Sequence, residues 1–430
     1  YSMRRLWLTM MMGVVGLGLI IGVSGAQAAH DLADILYEKG QITKEEWVKA
    51  KADSEKAEEE QRKARDQEFP ISIRYKEGFD IQTRDGKFEM LIQHRLQFRY
   101  FFPQEGDSLA PADAAEADDK DTSSFRIRRA RIKVGGHGFV PWLKYYVEYD
   151  WLSNTLLDYR LDIAKFKWAT LRIGQWKVEY NRERVDSSGA QQFVERSIVN
   201  APFTLDRQIG ARLAGHLFEG TPAYLIYNLG VFTGTGINNS RNDDKKMLWL
   251  GRIQWNFLGR DVPFYQSDPY YTPLPVASIA FAGAHNRTDR IVFPGTRGGT
   301  VVDGQFEVDQ GVQEFAFKWN GLSIQEEFHV KEVTNTTTQT KTTSYGAYAQ
   351  VGYLPHGLID MIPKELELAY RYAFVDPNDA LRSDVLREHT VAANWFFSGH
   401  RNKVTLDYSH LTQPGFTPED RVRLQWDVSF

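Results

Sequence analysis

Arg421-Val422-Arg423-Leu424-Gln425-Trp426-Asp427-Val428-Ser429-Phe430 alternates without a break. Val422, Leu424, Trp426, Val428 and Phe430 share one face, and Arg421, Arg423, Gln425, Asp427 and Ser429 share the other. Alternation at period two marks a strand whose two faces meet different surroundings. A half-buried strand of a soluble sheet carries the same pattern, so the fold depends on how often the rest of the chain repeats it.

Composition narrows the choice. The 430 residues include no cysteine, 42 % are hydrophobic and 13 % are aromatic. A helical membrane protein needs repeated apolar runs of about 20 residues. Only Leu6 to Val23 approaches that length. Arg4 and Arg5 precede this run and Ala26-Gln27-Ala28 follows it, the layout of a secretory signal peptide cut after Ala28. Removing its two arginines takes the formal charge from −4 to −6, which excludes nucleic-acid binding by charge. An exported chain without cysteine has no disulfide framework. A transmembrane β-barrel hides its hydrophobicity in alternate residues, so modest overall hydrophobicity with many aromatics suits one.

Residues 29–70 read as a separate helical, periplasmic region and linker. Asp31 to Lys39 forms a short helix stopped by Gly40. Thr43-Lys44-Glu45-Glu46 is a capping box that opens a second helix running to about Glu68. That helix becomes almost wholly charged, which suits a solvated spacer or an oligomerising helix. Phe69-Pro70 is the linker.

From Ile71 to Phe430 the period is two. Gly78 to Thr83 forms a short strand, Asp85-Gly86 a tight turn, and Phe88 to Phe102 a long strand. Further strands fall near 125–136, 142–152, 157–166, 169–180, 207–217, 222–232, 247–257 and 276–285, and then near 311–319, 322–333, 343–353, 364–375, 385–398, 402–411 and 419–430. Long links at 103–123, 181–206, 233–246 and 286–310 interleave with short ones such as Asn320-Gly321 and Gly399-His400-Arg401. Short periplasmic turns and long outer loops are the rule for such barrels. The link near 259–275 departs from it as a long inner turn. Counting back from Phe430, an even number of strands gives sixteen spanning strands, the first being Phe88–Phe102, with 78–83 as an added arm. The expected fold is all-β, a sixteen-stranded antiparallel transmembrane β-barrel with a short N-terminal α-helical periplasmic extension. Glu326 is an exception, falling on the outward face with Ile324 and Phe328; it marks either a subunit contact or a register shifted by one.

The inward faces define a lumen. Arg421 and Arg423 of the last strand, Arg95 and Arg99 of the first, and Arg129, Arg131 and Lys133 of the next become one basic wall once the barrel closes. Glu148, Asp150, Asp158 and Asp162 form an acidic wall beside it. Arginine forks bind oxyanions through several donors at once, and low-dielectric walls strengthen the attraction. The link 181–206 mixes charges, small residues and Phe193, and is long enough to fold inward as a constriction.

Several ordered stretches resemble the phosphate-selective porin O and P family. Asp85-Gly86-Lys87-Phe88 leading to Arg95-Leu96-Gln97 resembles its opening hairpin, and Ile127-Arg128-Arg129-Ala130-Arg131-Ile132 with Gly135-Gly136 its Arg-Arg-Ala strand. Gly174-Gln175-Trp176, Glu183, Ser187-Ser188 and Glu195-Arg196 resemble its sixth strand and constriction loop. The resemblance covers roughly residues 78–430. It implies a trimeric outer-membrane porin. It also implies an arginine ladder including Arg95, Arg128 and Arg129, a lining lysine at Lys144, an acidic residue near the constriction at Asp158 and a further binding lysine at Lys331. Arg184 stands where phosphate-selective members carry lysine, which puts a bulkier planar donor there.

The expected function is passive diffusion of small solutes with a preference for inorganic anions such as phosphate. A non-selective porin and a structural tether acting on the cell wall through 29–68 are the alternatives. The ten histidines form no Gly-x-Ser-x-Gly or His-Glu-x-x-His pattern, so no enzyme activity and no cofactor is expected. Expected partners are outer-membrane lipids, lipopolysaccharide, inorganic anions and further copies of the chain in a homotrimer, without nucleic acid. No metal site is expected, although Asp118-Asp119-Lys120-Asp121 could bind calcium or bridge lipopolysaccharide.

Overall fold

The computed structural model describes residues 34–68, 71–102, 123–242, 245–293, 300–381 and 383–430. The signal peptide, the first residues of the short helix, Phe69-Pro70 and the Asp118–Asp121 run lie outside the described residues.

The chain divides into two units, 1–72 and 73–430. The first contains helix α1 (Lys44–Glu68). Its capping box forms as the sequence indicates: the Glu46 amide donates to Thr43 Oγ1 at 3.3 Å and the Thr43 amide to Glu46 Oε2 at 2.8 Å. Before it, helical residues 34–38 end at Gly40, whose φ of +65° suits glycine. Tyr37 stacks on Trp47 at 5.1 Å, and Lys51 pairs with Asp34 at 2.8 Å.

The second unit is the barrel. Two short strands, β1 (Ile71–Tyr75) and β2 (Phe79–Thr83), precede sixteen longer ones. These are β3 (Glu89–Phe102), β4 (Ser124–Gly138), β5 (Val140–Asp150), β6 (Thr155–Phe166), β7 (Ala169–Lys177), β8 (Arg207–Leu217), β9 (Leu225–Phe232) and β10 (Leu248–Trp255). They continue with β11 (Val276–Phe293), β12 (Thr300–Trp319), β13 (Leu322–Asn335), β14 (Lys341–Tyr353), β15 (Leu366–Asp376), β16 (Leu386–Ser398), β17 (Asn402–Thr412) and β18 (Glu419–Ser429). Each pairs antiparallel with the next, and β18 closes on β3 through Val422↔Phe102 to Ser429↔Arg95. Closure pairs the edges that an open sheet would leave bare. Strand β2 adds to the start of β3 outside this ring, as the parity count requires.

The opening stretch behaves as its alternation indicates. In β18, Leu424 and Trp426 are exposed on the outer wall while Arg423, Gln425 and Asp427 are buried on the lumen side. Glu326 does face outward. Its register is not shifted, because Gln325, Glu327, His329 and Lys331 of the same strand are buried inside. Gln313 of β12 covers it with a 2.7 Å hydrogen bond.

One link is corrected. Residues 286–310 were read as a long outer loop, but most of them extend β11 and β12, which run to 18 and 20 residues. A spanning strand needs only about 9–11 residues, so this hairpin rises past the apolar band. Its polar composition hid the strand. Ile291, Phe306, Val308 and Val333 form a small cluster on its inner face.

The link between β7 and β8 enters the barrel. It carries two single-turn helices, α2 (Arg182–Val185) and α3 (Asn200–Phe203). Val199 and Phe203 sit on an apolar seat formed by Tyr348, Ala373, Val375, Leu386 and Leu411 of the inner wall. Gly346 makes room there, since a Cβ on it would stand 2.5 Å from the Phe203 ring. Burial of a phenylalanine side chain contributes about 1.5–3 kcal/mol, so the loop docks by the same force that forms a core.

Candidate ion pathway through the barrel

The docked loop crosses the lumen from one wall to the other. On the first strand, Arg95 donates to Ser187 Oγ at 2.6 Å, Gln97 to the Ser188 carbonyl at 3.0 Å and Arg99 to the Val194 carbonyl at 3.1 Å. On the opposite side, Glu327 of β13 accepts from the Glu183 amide at 2.6 Å and Glu367 of β15 from Gln192 at 2.9 Å. Asp407 of β17 accepts from the Val194 amide at 2.9 Å. The loop is therefore held to both sides of the barrel interior.

Two cavities remain, one on each side of it. The outer one, about 440 Å³, has five cations (Arg126, Arg128, Arg196, Arg421, Arg423) and two carboxylates (Glu195, Glu388) in its wall. The inner one, about 490 Å³, has nine lysines and arginines, including Arg95, Arg131, Lys133 and Lys177, and four carboxylates, Glu148, Asp158, Glu179 and Asp261. Arg129 lies on β4 between Arg128 of the outer cavity and Arg131 of the inner one.

The residues singled out in the sequence fall into three groups. Arg95, Arg128, Arg131, Asp158, Arg421 and Arg423 line a cavity. Arg99, Arg129 and Arg184 belong to the rim. Arg99 is fully buried, pairing with Glu195 at 2.8 Å and with Gln425 at 2.7 Å. Arg129 donates to Gln97 Oε1 at 2.6 Å. Arg184 forks onto Asp206. The third group lines neither of these two cavities. Lys144 is exposed near the start of β5, opposite Asp162, in a side cavity near the short-turn end. Lys331 lies beneath the loop, where its ammonium donates to the Pro202 carbonyl at 2.9 Å.

Arg128 reaches the lumen through a bulge. The β3–β4 register jumps from Gln97↔Arg129 to Phe98↔Ile127, so Arg128 is the extra residue. Without it, Arg128 and Arg129 would face opposite sides. With it, Arg126 and Arg128 join Arg129 and Arg131 inside while Phe125 and Ile127 stay exposed outside.

The separate acidic wall does not form. Arg131 pairs with Glu148 at 3.0 Å and with Asp150 at 2.7 Å. Arg207 binds Asp158 at 2.6 Å, and Arg172 binds Asp162 at 2.5 Å. Arginines from neighbouring strands thus neutralise each carboxylate. Sequence reasoning passed over Arg160, Arg172, Arg207 and Arg212. Parity could have found Arg160, which shares its face with Asp158 and Asp162 in β6.

Five cations around the passage have no carboxylate within salt-bridge distance among the described residues: Arg95, Arg129, Lys133, Lys177 and Arg196. Lys177 donates to the Asp186 carbonyl at 3.2 Å. Arg196 donates to the Glu183 and Asp186 carbonyls, each at 2.8 Å. Burial first, and Arg184 second, push the Arg196 guanidinium down to about 10, still charged at neutral pH. Glu195 is held well below the usual carboxylate range by Arg99, Arg128 and Arg129, which outweigh its burial.

Among the described residues, His285, Glu307 and Asp309 have the donors and spacing that could hold a metal ion. They stand on the outward face of β11 and β12, away from the lumen.

Comparisons with known proteins follow this geometry. A search of curated proteins finds no match. Among solved structures, the chain is similar to an anion-selective porin from Comamonas acidovorans, at 10 % identity over 80 % of this chain and 100 % of that one, with a TM-score of 0.52. It is equally similar to a loop L8 deletion mutant of OmpT, an outer membrane protein of Vibrio cholerae, with the same identity, coverage and score. The outer membrane channel DcaP of Acinetobacter baumannii matches at 11 % identity over 82 % of this chain and 99 % of that one, with a TM-score of 0.51. At such identities the likeness concerns the fold alone. Residues 108–268 and 276–425 match the family described as phosphate-selective porin O and P. That is well over half of the chain, and the protein belongs to this family of outer-membrane porins.

Proposed function

We propose that the protein is a passive porin that prefers anions, inorganic phosphate among them. The observation that carries this reading is the set of unpaired cations at the constriction: Arg95, Arg129, Lys133, Lys177 and Arg196 are held by neutral partners or by none among the described residues. Paired arginines in the same lumen have spent their charge on neighbouring carboxylates. These five are committed to no carboxylate among the described residues. A focused positive potential in a low-dielectric passage raises the local concentration of anions and repels cations. Lysine and arginine donors also replace part of the hydration shell of an oxyanion as it enters.

The path runs from the outer cavity past Arg196 and Arg129 to Lys177, Lys133 and Arg95 of the inner one. Successive cations along this path offer an anion several weak sites, a condition for conduction without trapping. Fold and family are those of a channel. A homotrimer within an outer membrane of anionic lipid completes the reading, and the family is its support.

Reversal potential in a potassium chloride gradient across a planar bilayer tests it, followed by titration with phosphate. Anion selectivity with saturable phosphate block is the expected result. A cation-selective or non-selective pore indifferent to phosphate would sink the reading and leave a general porin.

A further inference from the structure

The link between β10 and β11, residues 256–275, leaves on the side of the short turns and folds back inside the barrel. Val262, Gln266, Ser267 and Asp268 in it are buried to within a few per cent. It meets the constriction loop there. The Gln266 amide donates to the Ala190 carbonyl at 2.8 Å, and its side-chain oxygen accepts from the Gln192 amide at 2.9 Å. Arg182 of the loop reaches the other way, donating to the Val262 carbonyl at 3.0 Å and to that of Pro263. Its guanidinium lies 4.5 Å from the Phe264 ring. The barrel wall closes the joint. Lys318 of β12 donates to the carbonyls of Gln266 and Ser267 at 2.7 and 2.8 Å, and Ser267 shares Glu367 with Gln192.

We propose that this inner turn is part of the selectivity device: by clamping the constriction loop against β12–β17 it confines the ion path to the basic wall. The inference rests on the anion preference proposed above. Its argument is the distribution of charge. Behind the plug formed by loop and turn, Lys318, Lys331 and Lys403 donate to plug carbonyls of Gln266, Pro202 and Gln191. On the same side Glu327, Glu367 and Asp407 take donors from the loop. With Arg371, Glu314 and Glu388 of the same strands, the buried cations there number four and the buried carboxylates five, so the covered half of the lumen has no excess of positive charge. The open half has nine cations against four carboxylates around the inner cavity alone. An ion that crosses must pass the unbalanced side. Loosening the plug opens a second route, wider and without that positive excess, through which cations pass as readily as anions.

The joint is built to hold. Lys318 and Lys403 would lose the carbonyls that receive their ammonium groups if turn or loop withdrew, and an uncompensated buried charge is strongly disfavoured. The turn reaches the loop between Ala190 and Gln192, midway between the loop's attachments to β3 at Ser187 and Val194. Gln266 is thus a positioning residue for the constriction, from the side of the barrel opposite to the one where the loop enters.

The test compares the full-length wild-type protein with Gln266→Ala, with a Gln266→Ala/Arg182→Met double variant, and with a chain in which 260–272 is shortened to a tight hairpin. Single-channel conductance and the anion-to-cation permeability ratio are read together, with far-ultraviolet circular dichroism reporting the barrel. Conductance is expected to rise roughly twofold in the shortened chain while the permeability ratio falls toward one, with smaller changes of the same sign in the point variants. Lys177→Ala is the contrast, lowering the ratio without raising conductance. Unchanged conductance and ratio in the variants, or higher conductance at a preserved ratio, would overturn the proposal. If the shortened chain does not form a barrel, the double variant carries the same test. A wild-type channel without anion preference would fail at an earlier step, removing the functional reading before any variant is measured.

Discussion

Arg184 closes the neck of the constriction loop by forking onto Asp206, its Nε lying 2.8 Å from Oδ1 and a second guanidinium nitrogen bonding Oδ2. Arg184 lies at the start of the loop and Asp206 at its end, where Asp206 adopts a φ of +41° that asparagine also tolerates. Burial alone would raise the Asp206 carboxyl, but the Arg184 guanidinium overrides it and holds the group at about 2. Arg184 is therefore neutralised by its partner. Arg184→Ala is expected to leave reversal potential nearly unchanged. Asp206→Asn frees the guanidinium, and the anion-to-cation permeability ratio should rise roughly twofold to fivefold. A large loss of selectivity in Arg184→Ala would show that Arg184 itself contacts the permeating ion.

The unpaired cations should behave differently. Charge-assisted hydrogen bonds contribute roughly 1.5–3 kcal/mol each. Lys177→Ala and Arg129→Ala should each weaken phosphate block about tenfold to a hundredfold, measured as the concentration that halves chloride current. Arg131→Ala should do less, because its guanidinium is already committed to Glu148 and Asp150. Equal losses in all three would mean that pairing does not set which cations meet the anion.

How much of this could be read in the chain depends on what each feature answers to. Strand positions and barrel closure answer to two solvents, and alternation records them directly; β8 spans Arg207–Leu217, the bounds its periodicity gives. The basic wall was legible for the same reason, since Arg95, Arg131 and Arg423 follow strand parity. Pairing across strands was not. Whether Arg131 meets Glu148 depends on register, and one bulge residue, Arg128, changes which side chains share a face. The β11–β12 extension lost its signal because both faces of a hairpin above the membrane meet water. The inner turn was expected as a long link, but its insertion depends on donors from two distant regions, Arg182 and Gln192 of the β7–β8 loop and Lys318 of β12, which no local pattern connects.

Gly189 offers a steric test of the rim. A Cβ placed there would stand 2.8 Å from the Arg95 Cζ and 3.0 Å from its Nε. That guanidinium is held between Ser187 and Ser429, so Gly189→Ala must displace it. Forcing an extra methyl into a packed site costs about 1–3 kcal/mol. The variant should fold, carry less current and show weaker phosphate block. Gly283→Ala, on the outward face of β11 where the nearest atom to a Cβ is 4.0 Å away, is the control that should leave both unchanged.

Two loop carboxyls make docking of the constriction depend on pH. Burial raises the Glu183 carboxyl from 4.5 to about 7; Arg371 opposes the rise and Glu327 adds to it. Asp186 goes to about 6 through burial, against the pull of Arg182 and Lys318. A carboxyl with a higher pKa when docked than when free holds its proton longer in the docked state. Docking is therefore fully favoured below the free value and weakens as pH rises through the docked one. Asp206 stays ionised across that range and adds no slope, while Arg196 beside Glu183 stays charged. Open-channel noise, the signature of a loop leaving its seat, should accordingly grow between about pH 4 and about pH 7. Glu183→Gln should remove roughly half of that dependence, leaving a comparable part due to Asp186. Noise that instead grew toward acid pH would mean that both carboxyls are ionised in the docked loop and that their burial is offset by the arginines around them.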